Sequence, residues 1–104
     1  MDVDRLVGWN FKRIRVERGL SQEEVALRLG TVDQAYISQL EAGERNPTAR
    51  TIYLLAAALG TNPGELFSIV GVPDDIAQGE NVKSQKSRAG RARPRSTRRK
   101  RAEV

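Results

Sequence analysis

The sequence predicts an all-α domain of five short helices followed by a disordered basic tail. Three observations lead there. Apolar residues recur at helical spacing between residues 3 and 69, each break in that spacing carries helix start or stop chemistry, and the alternation expected of a half-buried strand is absent.

The first helix is predicted over residues 3–18, with Leu6, Phe11, Ile14 and Val16 inward and Gly19 supplying the left-handed residue that ends it. Leu20 then turns back to the core. Ser21 followed three residues later by Glu24 forms a capping box, in which each side chain satisfies the other residue's backbone donor. A second helix therefore starts at Gln22, places Val25, Ala26 and Leu29 on one face, and stops at Gly30. So short a helix depends on tertiary packing. Asp33 is the expected N-cap of a third helix, residues 34–42, which turns Ile37 and Leu40 inward and ends at Gly43. Its outer face carries Gln34, Ala35, Ser38 and Gln39. Thr48 caps a fourth helix that buries Ile52, Leu55, Ala56 and Leu59 and ends at Gly60. Asn62 and Pro63 open a fifth, with Glu65 in its first turn and Leu66, Phe67 and Ile69 as apolar contacts.

Beyond Val72 the pattern dissolves, so the chain divides into a domain, residues 1–72, and a linker with basic tail, residues 73–104. Residues 83–101 hold ten Lys or Arg, no acid and no aromatic, too little apolar surface to offset the entropy of ordering.

A chain of 104 residues has room for one modest core. It contains no cysteine and no histidine, which excludes disulfides, thiolate chemistry, histidine bases and the usual zinc sites. With no nucleophile–base pair either, no enzyme, cofactor or metal is expected. No apolar run approaches the roughly 20 residues of a membrane span, so a soluble cytoplasmic protein without a membrane partner is expected. The net charge of +5 suggests an anionic partner, yet it is unevenly distributed. Residues 1–78 carry eight basic and eleven acidic side chains, a balance of −3; residues 79–104 carry ten and two, a balance of +8. The excess lies entirely in the tail, which is either a nucleic-acid contact or a solvated arm.

The informative motif is the pair of short helices that follows the first, joined by a tight connection starting at Gly30, with the small Ala26 where they cross. In a helix-turn-helix the second helix of such a pair enters the major groove while the first crosses the phosphate backbone. Amide side chains on the exposed face suit that task, because glutamine offers adenine a donor and an acceptor together. On spacing alone the pair is equally an α-hairpin with solvated glutamines.

Gly19-Leu20-Ser21-Gln22, Ala26, Gly30, Tyr36-Ile37-Ser38, Glu41, Gly43, Arg45-Asn46-Pro47 and the run from Leu55 to Gly60 resemble the signature of the Cro/Xre family of helix-turn-helix regulators, which have the lambda-repressor-like fold. The resemblance implies a five-helix domain that binds double-stranded DNA, commonly as a homodimer on a palindromic operator. It implies that Gln22 bonds a phosphate at the start of the second helix, and that Gln34, Ala35, Ser38 and Gln39 face base edges. Arg45, Asn46, Thr48 and Arg50 match positions set against the DNA backbone, and Tyr36 either touches sugar-phosphate or shields the core. Arg15 and Glu41 match an internal ion pair behind the recognition helix. One residue more separates Gly30 from Ile37 than in the usual family spacing, making Thr31, Val32 and Asp33 a longer turn. Leu66, Phe67, Ile69, Val70 and Val72 form the expected dimer interface, since exposed apolar clusters usually mark one. The expected function is a sequence-specific repressor, nucleoid-associated when bound. Two alternatives share the fold: an antitoxin that regulates its own operon, and an interaction module that acts as an antiactivator.

Overall fold

A computed structural model describes residues 1–79 as five α-helices and one 3-10 helix, with no strand among the described residues. The α-helices are α1, Val3–Glu17; α2, Gln22–Leu29; α3, Gln34–Glu41; α4, Ala49–Leu59; and α5, Asp74–Ala77. The 3-10 helix, Pro63–Phe67, occupies the place of the fifth predicted helix. The expectation of a disordered tail over residues 83–101 lies outside the described residues.

Local chemistry starts the helices where the sequence indicates. The Asp2 carboxylate accepts from the Arg5 N–H, Asp33 from Tyr36, and the Thr48 hydroxyl from Thr51, each satisfying a donor that the helix leaves open. At α2 both halves of the Ser21–Glu24 capping box are formed. The Ser21 backbone N–H donates to the Glu24 carboxylate at 2.7 Å and holds its pKa below the ordinary 4.5.

α1 runs along the back of the molecule and packs on α3, α4 and the 3-10 helix, while α2 bridges α3 and α4. Val7, Phe11, Ile14, Val25, Ala26, Ile37, Leu40, Leu55, Ala56, Leu59 and Leu66 form one buried cluster. Burying each of the larger side chains among them contributes about 1.5–3 kcal/mol, so helices of two turns are held by the core and not by propensity. Leu20, Leu29, Val32 and Ile52 close its edges, half-buried.

Two details depart from the sequence expectations, and a third is not signalled by the sequence. Val16 points outward at 58 % exposure, because α1 has already turned its buried stripe to Val7, Phe11 and Ile14. The segment expected to be linker contains α5, whose Ile76 is buried; its carbonyl accepts from the Asp2 N–H at 3.0 Å, while Asp75 pairs with Arg5 at 2.6 Å. Gly8, in the middle of α1, lies against the Leu40 carbonyl, where a Cβ would overlap backbone. That contact lets α1 and the end of α3 approach closely.

Candidate nucleic-acid interface

The α2–α3 connection fixes how the outer face of α3 is presented. Gly30 adopts φ +77°, a left-handed conformation that favours glycine, and its N–H closes α2 on the Ala26 carbonyl. Val32 then turns inward against the core, and Asp33 caps the next helix. The additional residue of the turn is thus anchored by the apolar residue at its centre. On α3, Ile37 and Leu40 are fully buried, which leaves Gln34, Ala35, Ser38 and Gln39 together on the exposed side.

Behind that face lies a chain of hydrogen bonds anchored by an ion pair. Arg15 on α1 donates through Nε to Glu41 at 2.6 Å and through Nη2 at 3.1 Å, and through Nη1 to the Leu20 carbonyl at 2.8 Å. The pair is nearly dry, with side-chain exposures of 11 % and 5 %. Glu41 also accepts from Gln22 Nε2 at 3.0 Å, and Gln22 Oε1 accepts from Gln34 Nε2 at 2.6 Å. Gln22 is therefore held between the ion pair and the first residue of α3. What remains to it for a phosphate is one amide hydrogen and its backbone N–H at the start of α2.

The loop after α3 folds back on the same face. The Arg45 guanidinium lies 4.9 Å from the centre of the half-buried Tyr36 ring, and its Nε donates to Gln39 Oε1 at 3.0 Å. Asn46, Thr48 and Arg50 are exposed along the loop and the first turn of α4, the Thr48 hydroxyl being engaged in its cap. The surroundings are not uniformly cationic: Glu23, Glu24, Asp33 and Glu44 are exposed on the same elements.

The residues expected at a dimer interface separate into two groups. Leu66 is fully buried and closes the monomer core, so it is unavailable to a partner; it turns inward because the 3-10 helix packs on α1 and α4. Phe67, Ile69 and Val70 are exposed at 44 %, 64 % and 80 %, and Val72 is half-buried. Asn10, a fully buried polar residue that sequence patterning does not single out, fixes the start of this segment by donating to the Leu66 and Ser68 carbonyls at 3.0 and 2.9 Å.

Residues 11–66, from Phe11 in α1 to Leu66 in the 3-10 helix, match the family model described as helix-turn-helix, which covers more than half of the chain. The chain belongs to the helix-turn-helix family of Cro/Xre type. It is similar to the HTH-type transcriptional regulator y4dJ of Sinorhizobium fredii, 56 % identical over 68 residues that span 65 % of this chain and 87 % of that one. The control protein C.SmaI of Serratia marcescens is 32 % identical over 75 residues, 72 % of this chain and 88 % of that one. Among solved structures, the restriction-modification controller protein C.AhdI of Aeromonas hydrophila superposes with a TM-score of 0.57 at 38 % identity, covering 61 % of this chain and 94 % of that one. The helix-turn-helix protein described here is accordingly a DNA-binding transcriptional regulator and not an enzyme. No helix among the described residues is long and apolar enough to cross a membrane.

Proposed function

We propose that this regulator binds a palindromic operator as a homodimer and represses transcription from it. The observation that carries the proposal is the exposed α3 face, where Gln34 is braced through Gln22 and Glu41 by the mostly buried side chain of Arg15. A side chain positioned before binding loses less entropy on meeting a base edge. Gln34, Ala35, Ser38 and Gln39 read bases from this face. Gln22, Tyr36, Arg45, Asn46, Thr48 and Arg50 set the register on the phosphate backbone. Phe67, Ile69 and Val70, with Val72 at their edge, join two copies about a two-fold axis and so place two α3 helices about one helical turn of DNA apart. Such a dimer, occupying a promoter, represses by occlusion.

The balance of −3 over residues 1–78 and the acids around α3 oppose a polyanion, so the balance of +8 over residues 79–104 supplies most of the non-specific attraction. Similarity to proteins described as controllers favours one particular setting, in which the target lies beside linked restriction-modification genes.

Binding of genomic fragments in competitor DNA, followed by the mass of the complex, tests the proposal. It requires fragments that survive competition and two copies per site. Binding that competitor abolishes, or a single copy on every retained site, overturns it.

A further inference from the structure

The two glutamines on α3 have opposite hydrogen-bond polarity, set by the groups behind them. Glu41, paired with Arg15, is a carboxylate that only accepts. Gln22 must turn its Nε2 to Glu41, which leaves its Oε1 to accept from Gln34 Nε2. Gln34 keeps its own Oε1 and one amide hydrogen, a donor and an acceptor side by side, which matches the adenine edge of N6–H and N7. Gln39 meets a different partner. A guanidinium cannot accept a hydrogen bond, so the Arg45 Nε bond fixes the Gln39 carbonyl oxygen toward Arg45. Both amide hydrogens of Gln39 are left unused, while its oxygen is turned to Arg45.

We propose that Arg45, held on the Tyr36 ring, acts as a specificity-setting residue: by drawing the Gln39 oxygen to itself it leaves Gln39 to read with its amide hydrogens and select guanine, while Gln34 selects adenine. This rests on the proposed role of α3 in contacting base edges. Guanine is the base whose major-groove edge shows two acceptors, O6 and N7, and no donor. Only Nε of Arg45 is used on Gln39, so its two terminal amino groups remain for a phosphate. One side chain thereby couples backbone contact to base choice.

Selection from a random duplex pool with the full chain, Gln39→Ala and Arg45→Met tests this. Gln39→Ala identifies the position in each half-site that Gln39 governs, and in the unaltered protein guanine is expected there. Arg45→Met retains apolar contact with Tyr36 but donates nothing, which frees Gln39 to rotate and accept. Its guanine-over-adenine ratio at that position is expected to fall about tenfold, the size of one good base contact, while the position governed by Gln34 keeps adenine. The ratio is internal to each protein, so a uniform loss of phosphate affinity leaves it unmoved. A probe independent of any Arg45 variant is 7-deazaguanine, which lacks the N7 acceptor: placed at that position it is expected to weaken the unaltered protein more than Gln39→Ala. An A·T pair selected there by the unaltered protein, an unchanged ratio in Arg45→Met, or equal weakening by 7-deazaguanine overturns the assignment. A Gln39→Ala variant that changes no position overturns the base-reading role of Gln39 itself, a result distinct from the first three.

Discussion

Removing the Glu41 carboxylate leaves the Arg15 guanidinium with one protein partner, the Leu20 carbonyl, at a site where its side chain is only 11 % exposed. Breaking a buried pair from one side costs about 3–5 kcal/mol, because the surviving charge stays desolvated. Glu41→Ala is therefore expected to destabilise the domain by about 3 kcal/mol or more, a large part of the roughly 5–15 kcal/mol that holds a domain together. Replacing both partners by methionine removes the stranded charge as well as the attraction, so the double variant should recover most of the loss. Urea denaturation followed by circular dichroism measures Glu41→Ala and the methionine cycle, which comprises the unaltered protein, Arg15→Met, Glu41→Met and the double variant. The Glu41 single variant also deprives Gln22 of its acceptor, so DNA affinity should fall beyond what the folded fraction explains. A Glu41→Ala effect within about 0.5 kcal/mol, the scale of an ordinary surface substitution, would show that water reaches Arg15 and that no charge is stranded. A double variant no more stable than the single ones would rule out the desolvated charge as the source of the loss.

Helix propensity alone predicts that Gly8→Ala stabilises α1 by about 1 kcal/mol, but a methyl meeting the Leu40 backbone carbonyl reverses the sign. Thermal denaturation should show a net loss of about 1–3 kcal/mol, as for other overpacked positions. Truncation after Gln78 should weaken specific and non-specific duplexes together and flatten the salt dependence by about 0.9 for each phosphate that the tail neutralises; a slope unchanged in gel-shift titrations would leave the tail no part in binding. The depressed pKa of Glu24 means that its carboxylate stabilises the fold at pH above its ordinary value of 4.5, and that this contribution disappears as pH falls through the lower folded value. Glu24→Gln keeps a capping side chain without the titration, so its stability should vary less with pH on acidification below 4.5 than that of the unaltered protein.

Elements announced by local chemistry were legible in the sequence. The Ser21–Glu24 box, the Asp33 and Thr48 caps and the glycine at position 30 bracket α2, α3 and α4 within a residue or so, and the 3.6-residue spacing placed Phe11, Ile14, Val25, Ile37, Leu40, Leu55 and Leu59 in the core. Features that need two distant segments were not. Nothing local marks Gly8 or Asn10: the first matters only once α3 is laid across it, and the second only once the Leu66 and Ser68 carbonyls reach it. α5 has weak local signals, since what holds it is chiefly the burial of Ile76 against α1, with the exposed Arg5–Asp75 pair adding little. Leu66 belongs to an apolar cluster whose members cannot be divided between core and surface by composition, and the 3-10 geometry decides it. In the candidate site the sequence identified the amides but not their polarity. That property depends on which atoms of Glu41 and Arg45 stand behind them.

Whether α3 reads bases is decided by the base preference of the two glutamine variants, because phosphate contacts and folding affect all sequences alike whereas a base contact affects one position. Site selection with Gln34→Ala and Gln39→Ala, each checked for an unchanged melting transition, should erase preference at one base pair of each half-site per variant, about 1–3 kcal/mol of discrimination. Selection that returns the same preferences from both folded variants as from the unaltered protein would mean that α3 is not the helix that reads DNA.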